Sequence, residues 1–123
     1  MEPEARLCRW AWAGKPVADY TAHLEATNAH PVTYIPQDGE SQLQTRDRMV
    51  AQMQTLAQQH RDETILCVSH GKAIDLFTRH ILGLDVMATP AYGITNTSVN
   101  IFTSQDGVWE VVTLNEIRHL ETL

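Results

Sequence analysis

The sequence predicts an α/β fold, a layered sheet with flanking helices, and three observations carry that expectation. "ESQLQTRDRMVAQMQTLAQQH" repeats apolar residues at helical spacing, "TILCV" is an unbroken apolar run, and "TSVNIFT" and "VWEVVT" alternate around "QDG". A helical period, a buried-strand run and a hairpin in 123 residues fit one compact domain spanning 1–123.

The elements follow in chain order. In "GKPVADYTAHLEAT", Pro16 suits the first position of a helix, and Val17, Tyr20 and Leu24 fall on one face, which predicts a helix over 16–26. "NAHPVTYIPQDG" has two prolines and an Asp-Gly and reads as a loop. A long helix over 40–60 comes next, with Met49, Met53, Leu56 and His60 in helical period beside Val50 and Ala57. "TILCV" reads as a strand buried on both faces, with Cys67 as a reduced core residue. A helix over 71–82 follows, with Ile74, Phe77 and Ile81 inward, Leu82 beside them and Gly83 ending it. "DVMATPAYGIT" is a loop, and the last two runs form a hairpin over 97–113, giving at least three strands.

Composition excludes several function classes. Nine Lys and Arg against fifteen Asp and Glu give a net charge of −6, with no run of basic residues. A nucleic-acid footprint and a polybasic membrane patch are both missing. No apolar stretch approaches the ~18 residues of a membrane span. "MEPEARLCRW" lacks the pattern of a signal peptide, and the two cysteines, Cys8 and Cys67, are far apart, so a cytoplasmic protein is expected. His23, His30, His60, His80 and His119 are scattered without compact ligand spacing, so neither a metal nor another cofactor is expected. Trp10, Trp12 and Trp109 read as core or sheet-packing residues.

"TILCVSHGKAIDLF" places a histidine where a strand hands over to a helix. Open α/β sheets bind ligands at the C-terminal ends of their strands, and the amides of a helix start favour an anion. His70 there could hold a phosphoryl group or shuttle a proton. The bland alternative makes Ser69 a helix cap and His70 a polar turn residue. Glu40 and Ser41 likewise either cap the long helix or face the rim of a pocket.

Five stretches in order, "WAWAGKPVADY", "DGESQLQTRDRM", "ETILCVSHGKAIDLF", "ITNTSVNIF" and "GVWEVVTLNEIRHL", span residues 9 to 120. Together they resemble the motifs of the histidine phosphatase superfamily, the phosphoglycerate mutase-like proteins. The resemblance implies phosphoryl transfer or hydrolysis through a phosphohistidine, with arginines clamping the phosphate and a carboxylic acid as proton donor. His70 matches the second histidine, which stabilises phosphoryl charge, and the amides of Gly71 and Lys72 would assist it. Arg48 matches an arginine further along the long helix, and His119 a structural histidine near the end.

The sequence departs from the family where the nucleophile belongs. Arg6, Arg9, Arg46, Arg48, Arg61, Arg79 and Arg118 are its arginines, and none is followed by His-Gly. Ala13 stands where the family has the glutamate of Trp-Glu-Gly, and spacing does not choose between Glu2 and Glu4 as the acid. The resemblance therefore implies a truncated phosphoglycerate mutase-like fold. One function is a phosphatase- or mutase-like protein acting on or binding small phosphate esters or inorganic phosphate, inactive as an isolated chain. The alternative is a non-catalytic binding or assembly module. In the family the missing first strand pairs with the one ending in Ser-His-Gly, so an exposed strand edge and a homo-oligomer are expected.

Overall fold

The computed structural model describes residues 14–37 and 39–122, as two compact units that divide after Asp47. Trp10, Trp12, Glu2, Glu4, Arg6, Arg9, Cys8 and Ala13 lie outside the described residues.

In the first unit, α1 (Val17–Ala26) starts directly after Pro16. Leu24 is buried and Tyr20 half-buried, whereas Val17, in the first turn, is 70% exposed and takes no part in the inner face. Tyr34 from the following loop explains where that face lies. Its ring packs against Tyr20 at 6.0 Å and edge-on to His23 at 5.6 Å. The loop is tied to the start of α2 (Gln42–Gln59) by a hydrogen bond from the Leu43 amide to the Val32 carbonyl. Ser41 caps α2: its Oγ accepts from the Gln44 amide at 3.1 Å, while its own amide donates to the Gln44 side chain at 2.8 Å. This reciprocal pair is a capping box, with Gln in the third helical position. Ser41 is thereby committed to the helix start.

The second unit contains the rest of α2, α3 (Gly71–Leu82), and an antiparallel pair, β1 (Val99–Gln105) and β2 (Val108–Glu116). In the part of α2 that belongs to this unit, Met49, Val50, Met53, Leu56 and Ala57 are the less exposed positions, with His60 just beyond its end, so the apolar period marks its inner face. Gly83 ends α3 in the left-handed region at φ 66°. Its amide and that of Leu84 donate back to the His80 and Arg79 carbonyls, a Schellman closure. The β1–β2 turn is Asp106-Gly107, with φ 51° and 81°, the two positive values a two-residue I′ turn needs.

Two expectations about this unit fail. "TILCV" is not a strand: it lies outside the two-stranded sheet, with Leu66 93% and Val68 84% exposed, and Cys67 is exposed rather than in a core. An unbroken apolar run shows that burial is favourable, but a strand also needs a neighbour to bond, and no described residue pairs with this one. The inner face of α3 is also broader than its apolar residues indicate. Ala73, Leu76 and Phe77 are the buried apolar positions, Ile74 and Ile81 are half-buried, and Leu82 is 46% exposed. Asp75, Thr78 and Arg79 are buried with them because each has its polar partners.

Phe77 joins α3 to the hairpin. Its ring meets Phe102 of β1 at 5.2 Å and Trp109 of β2 at 5.3 Å, both edge to face. The sheet is thus covered on one side by a helix, which defines an α/β arrangement. Among the described residues no helix is long and apolar enough to cross a membrane.

Candidate functional site

His70 occupies the cap position of α3, not Ser69, with extended dihedrals of −110° and 153°. Its side chain is exposed and makes no capping hydrogen bond. The first bond of the helical ladder runs from the Ile74 amide to the His70 carbonyl at 3.0 Å. The amides of Gly71, Lys72 and Ala73 therefore precede that ladder, at the positive end of the helix dipole. His70, Gly71 and Lys72 stand together because they are consecutive at one helix start.

Beside them Gly71, Lys72, Asp75, Pro90, Tyr92 and Ile94 line a concave space of about 270 Å³. The chain after α3 forms its far wall, and that wall is fastened by a charged network. Asp75 Oδ1 accepts from Arg79 Nε at 3.0 Å and from the Tyr92 hydroxyl at 2.9 Å. Its Oδ2 accepts from Lys72 Nζ at 3.1 Å. Arg79 Nη1 donates to the carbonyls of Asp85, Val86 and Ala88. One buried cation thus organises the turn that leads to Pro90 and Tyr92.

Burial works to raise the Asp75 carboxyl, but hydrogen bonds from Tyr92, Arg79 and Lys72 outweigh it and hold it below the usual carboxylate value. Tyr92 moves the other way. Burial first, and then the Asp75 carboxylate it donates to, push its phenol well above the usual value. Asp75 is therefore an anion at neutral pH, and the ammonium of Lys72 is committed to it.

The hairpin supports the segment that ends in Ile94. Asn115, in the left-handed region at φ 54°, accepts the Thr95 amide on its side chain at 2.6 Å, and its own amide donates to Asn100 at 2.8 Å. His119 Nε2 donates to the Thr97 carbonyl at 2.9 Å, which gives it a structural part. The two strand ends that look like separate motifs in sequence are thus one hydrogen-bonded unit.

Other sequence candidates have local explanations. His30 Nδ1 accepts the Val32 amide, His60 pairs with Glu63 at 3.3 Å, and His80 is exposed on α3. Among the described residues no three His, Cys, Asp or Glu side chains form a metal-binding group. Asp75, Arg79 and Tyr92 were not singled out by sequence reading. The i, i+4 Asp–Arg spacing was a usable signal, but nothing local said that the pair is buried or that Tyr92 joins it.

The sequence matches the family model of the histidine phosphatase superfamily (branch 1) over residues 10–117, and the chain belongs to that superfamily. Two curated relatives come from Arabidopsis thaliana. A metal-independent phosphoserine phosphatase is 28% identical over 89 residues, covering 72% of this chain and 36% of the relative. Phosphoglycerate mutase-like protein 4 is 35% identical over 89 residues, covering 71% of this chain and 37% of the relative. The chain thus aligns with little more than a third of the length of each. No solved structure matches it.

Proposed function

We propose that the start of α3 is a phosphoryl-binding site, in which His70 and the amides of Gly71 and Lys72 hold a small phosphate ester or inorganic phosphate. The observation that carries this reading is the position of His70, at the cap of a helix whose first amides lie ahead of its own ladder. Such amides and the helix dipole attract an anion, and an imidazole N–H can donate to the same oxygens. The superfamily and the names of the two relatives, a phosphatase and a mutase-like protein, support phosphate monoesters as the ligand class. Lys72 adds its charge only by giving up Asp75.

In this reading His70 stabilises phosphoryl charge and does not attack phosphorus. The 123 residues contain no Arg-His-Gly, the motif that the resemblance assigns to the nucleophile. A phosphohistidine route needs a nucleophile held in line with the leaving group. The isolated chain therefore binds a phosphoryl group without transferring it. Hydrolysis of p-nitrophenyl phosphate by the purified chain tests this point. The expected rate is no higher than that of His70→Ala. Turnover that depends on His70, with phosphate trapped on a histidine by mass spectrometry, contradicts it.

A further inference from the structure

The concave space beside the start of α3 is lined by an ion pair, Lys72 with Asp75, whose two ends are held very differently. The Asp75 side chain is 12% exposed and is fixed through Oδ1 by Arg79 and Tyr92. Its Oδ2 accepts from Lys72 at 3.1 Å and, among the described residues, from no other group. The Lys72 side chain is 44% exposed and carries its charge on a flexible four-carbon stem. Asp75 is thus a fixed anion, and Lys72 a cation that can turn away once another cation takes its place on Oδ2.

The rest of the lining says what that second cation is attached to. The far wall stands close to the helix start, since a Cβ on Gly71 would lie 3.7 Å from the Ile94 carbonyl oxygen. Pro90 and Ile94 offer apolar surface suited to methylene carbons. Asp75 is four residues beyond Gly71, about 6 Å at 1.5 Å per residue. A phosphoryl group at the helix start and an ammonium on Asp75 are therefore bridged by a short alkyl spacer. A carboxylate on the same spacer finds no cation to meet it. Among the described residues Lys72 is the one Lys, Arg or His that lines the space, and Tyr92 already donates its hydroxyl to Asp75.

We propose, on the phosphoryl-binding reading of His70, Gly71 and Lys72, that this space takes a primary ammonium group, so that the ligand is an aminoalkyl phosphate without a carboxylate. The ligand's ammonium replaces Lys72 on Asp75 Oδ2, and the released Lys72 turns to the phosphoryl oxygens. Every charge keeps an opposite partner in this exchange. An uncharged ester draws Lys72 over only by leaving Oδ2 without its cation.

Calorimetric titration of the 123-residue chain with 2-aminoethyl phosphate, ethyl phosphate and phosphoglycolate tests the exchange, with inorganic phosphate as the reference. The three esters share a two-carbon chain and differ in its terminal group. The expected result is about tenfold tighter binding of 2-aminoethyl phosphate than of ethyl phosphate, the scale of one charge-assisted hydrogen bond, and no gain for phosphoglycolate. The preference should disappear in Asp75→Asn. That variant also disturbs Arg79, so the parent chain supplies a second readout: the Asp75 carboxyl carbon resonance should move with 2-aminoethyl phosphate and hold still with ethyl phosphate. Equal affinities for these two esters, tighter binding of phosphoglycolate, a preference that persists in folded Asp75→Asn, or a carboxyl resonance indifferent to the ammonium overturns the proposal, while inorganic phosphate still shifts His70. If inorganic phosphate leaves His70 unmoved, it is the phosphoryl site that fails, and the ammonium site with it.

Discussion

Arg79 donates its Nε–H to Asp75 Oδ1 at 3.0 Å, one turn away on α3, and the same side chain holds the carbonyls of Asp85, Val86 and Ala88. Both side chains are nearly excluded from solvent. Removing one partner of a buried pair leaves an uncompensated charge, at a cost of about 3–5 kcal/mol. Arg79→Met should therefore lower the urea-unfolding free energy by about that amount. A loss near that of an exposed pair, below about 1 kcal/mol, would show that Arg79 does not organise the turn.

The same network sets the pH range of stability. The folded Asp75 carboxyl lies below its unfolded value of about 3.9, so its contribution is present above that pH and is lost as pH falls below it. The Tyr92 phenol is raised, so its contribution is present below its unfolded value of about 10 and declines above it. Tyr92→Phe removes the alkaline dependence and weakens the acid one. Thermal melts of both proteins across pH will show this as a shallower profile for the variant. Identical profiles would contradict the assigned hydrogen bond.

Phe77 is 2% exposed and joins α3 to both strands through Phe102 and Trp109. Phe77→Ala should cost about 3–5 kcal/mol, because the cavity it leaves adds to the lost transfer energy. Trp109 fluorescence should shift to longer wavelength as its ring becomes wetter. An unchanged spectrum with small destabilisation would mean that the helix does not pack on the hairpin through this ring.

Sequence was most informative where the cause of structure is local. Gly83 and Asp106-Gly107 are short signals with a stereochemical reason, and each marks an element end in the fold; Ser41, which the sequence left between helix cap and pocket rim, is the cap. "TILCV" misled because its apolarity speaks of burial, whereas a strand depends on a second segment. The burial of Asp75 and Arg79 was hidden because charged residues count as outward in any periodicity. Lys72, Tyr92 (17 residues from Asp75) and the carbonyls of the turn make their burial tolerable. His70 was legible as a junction residue because a histidine and a glycine precede a strong helical pattern, although the segment before them is not the strand that the apolar run predicted.

Gly107 gives a test of the hairpin turn. Its φ is 81°, and no atom lies within 4 Å of the place a Cβ would occupy. Gly107→Ala therefore meets no clash and costs only left-handed backbone strain, about 1–2 kcal/mol. Urea unfolding should show that loss with an unchanged m-value. A neutral substitution would mean that the turn adopts another geometry in solution.

The central claim, a phosphoryl site at the start of α3, is tested most directly by the histidine side-chain resonances during a phosphate titration at fixed pH. The imidazole of His70 and the amides of Gly71 and Lys72 should shift saturably in millimolar phosphate. His30 and His119, held by backbone groups elsewhere, should not. No movement of His70 under those conditions, or equal movement of all six histidines, would contradict the account.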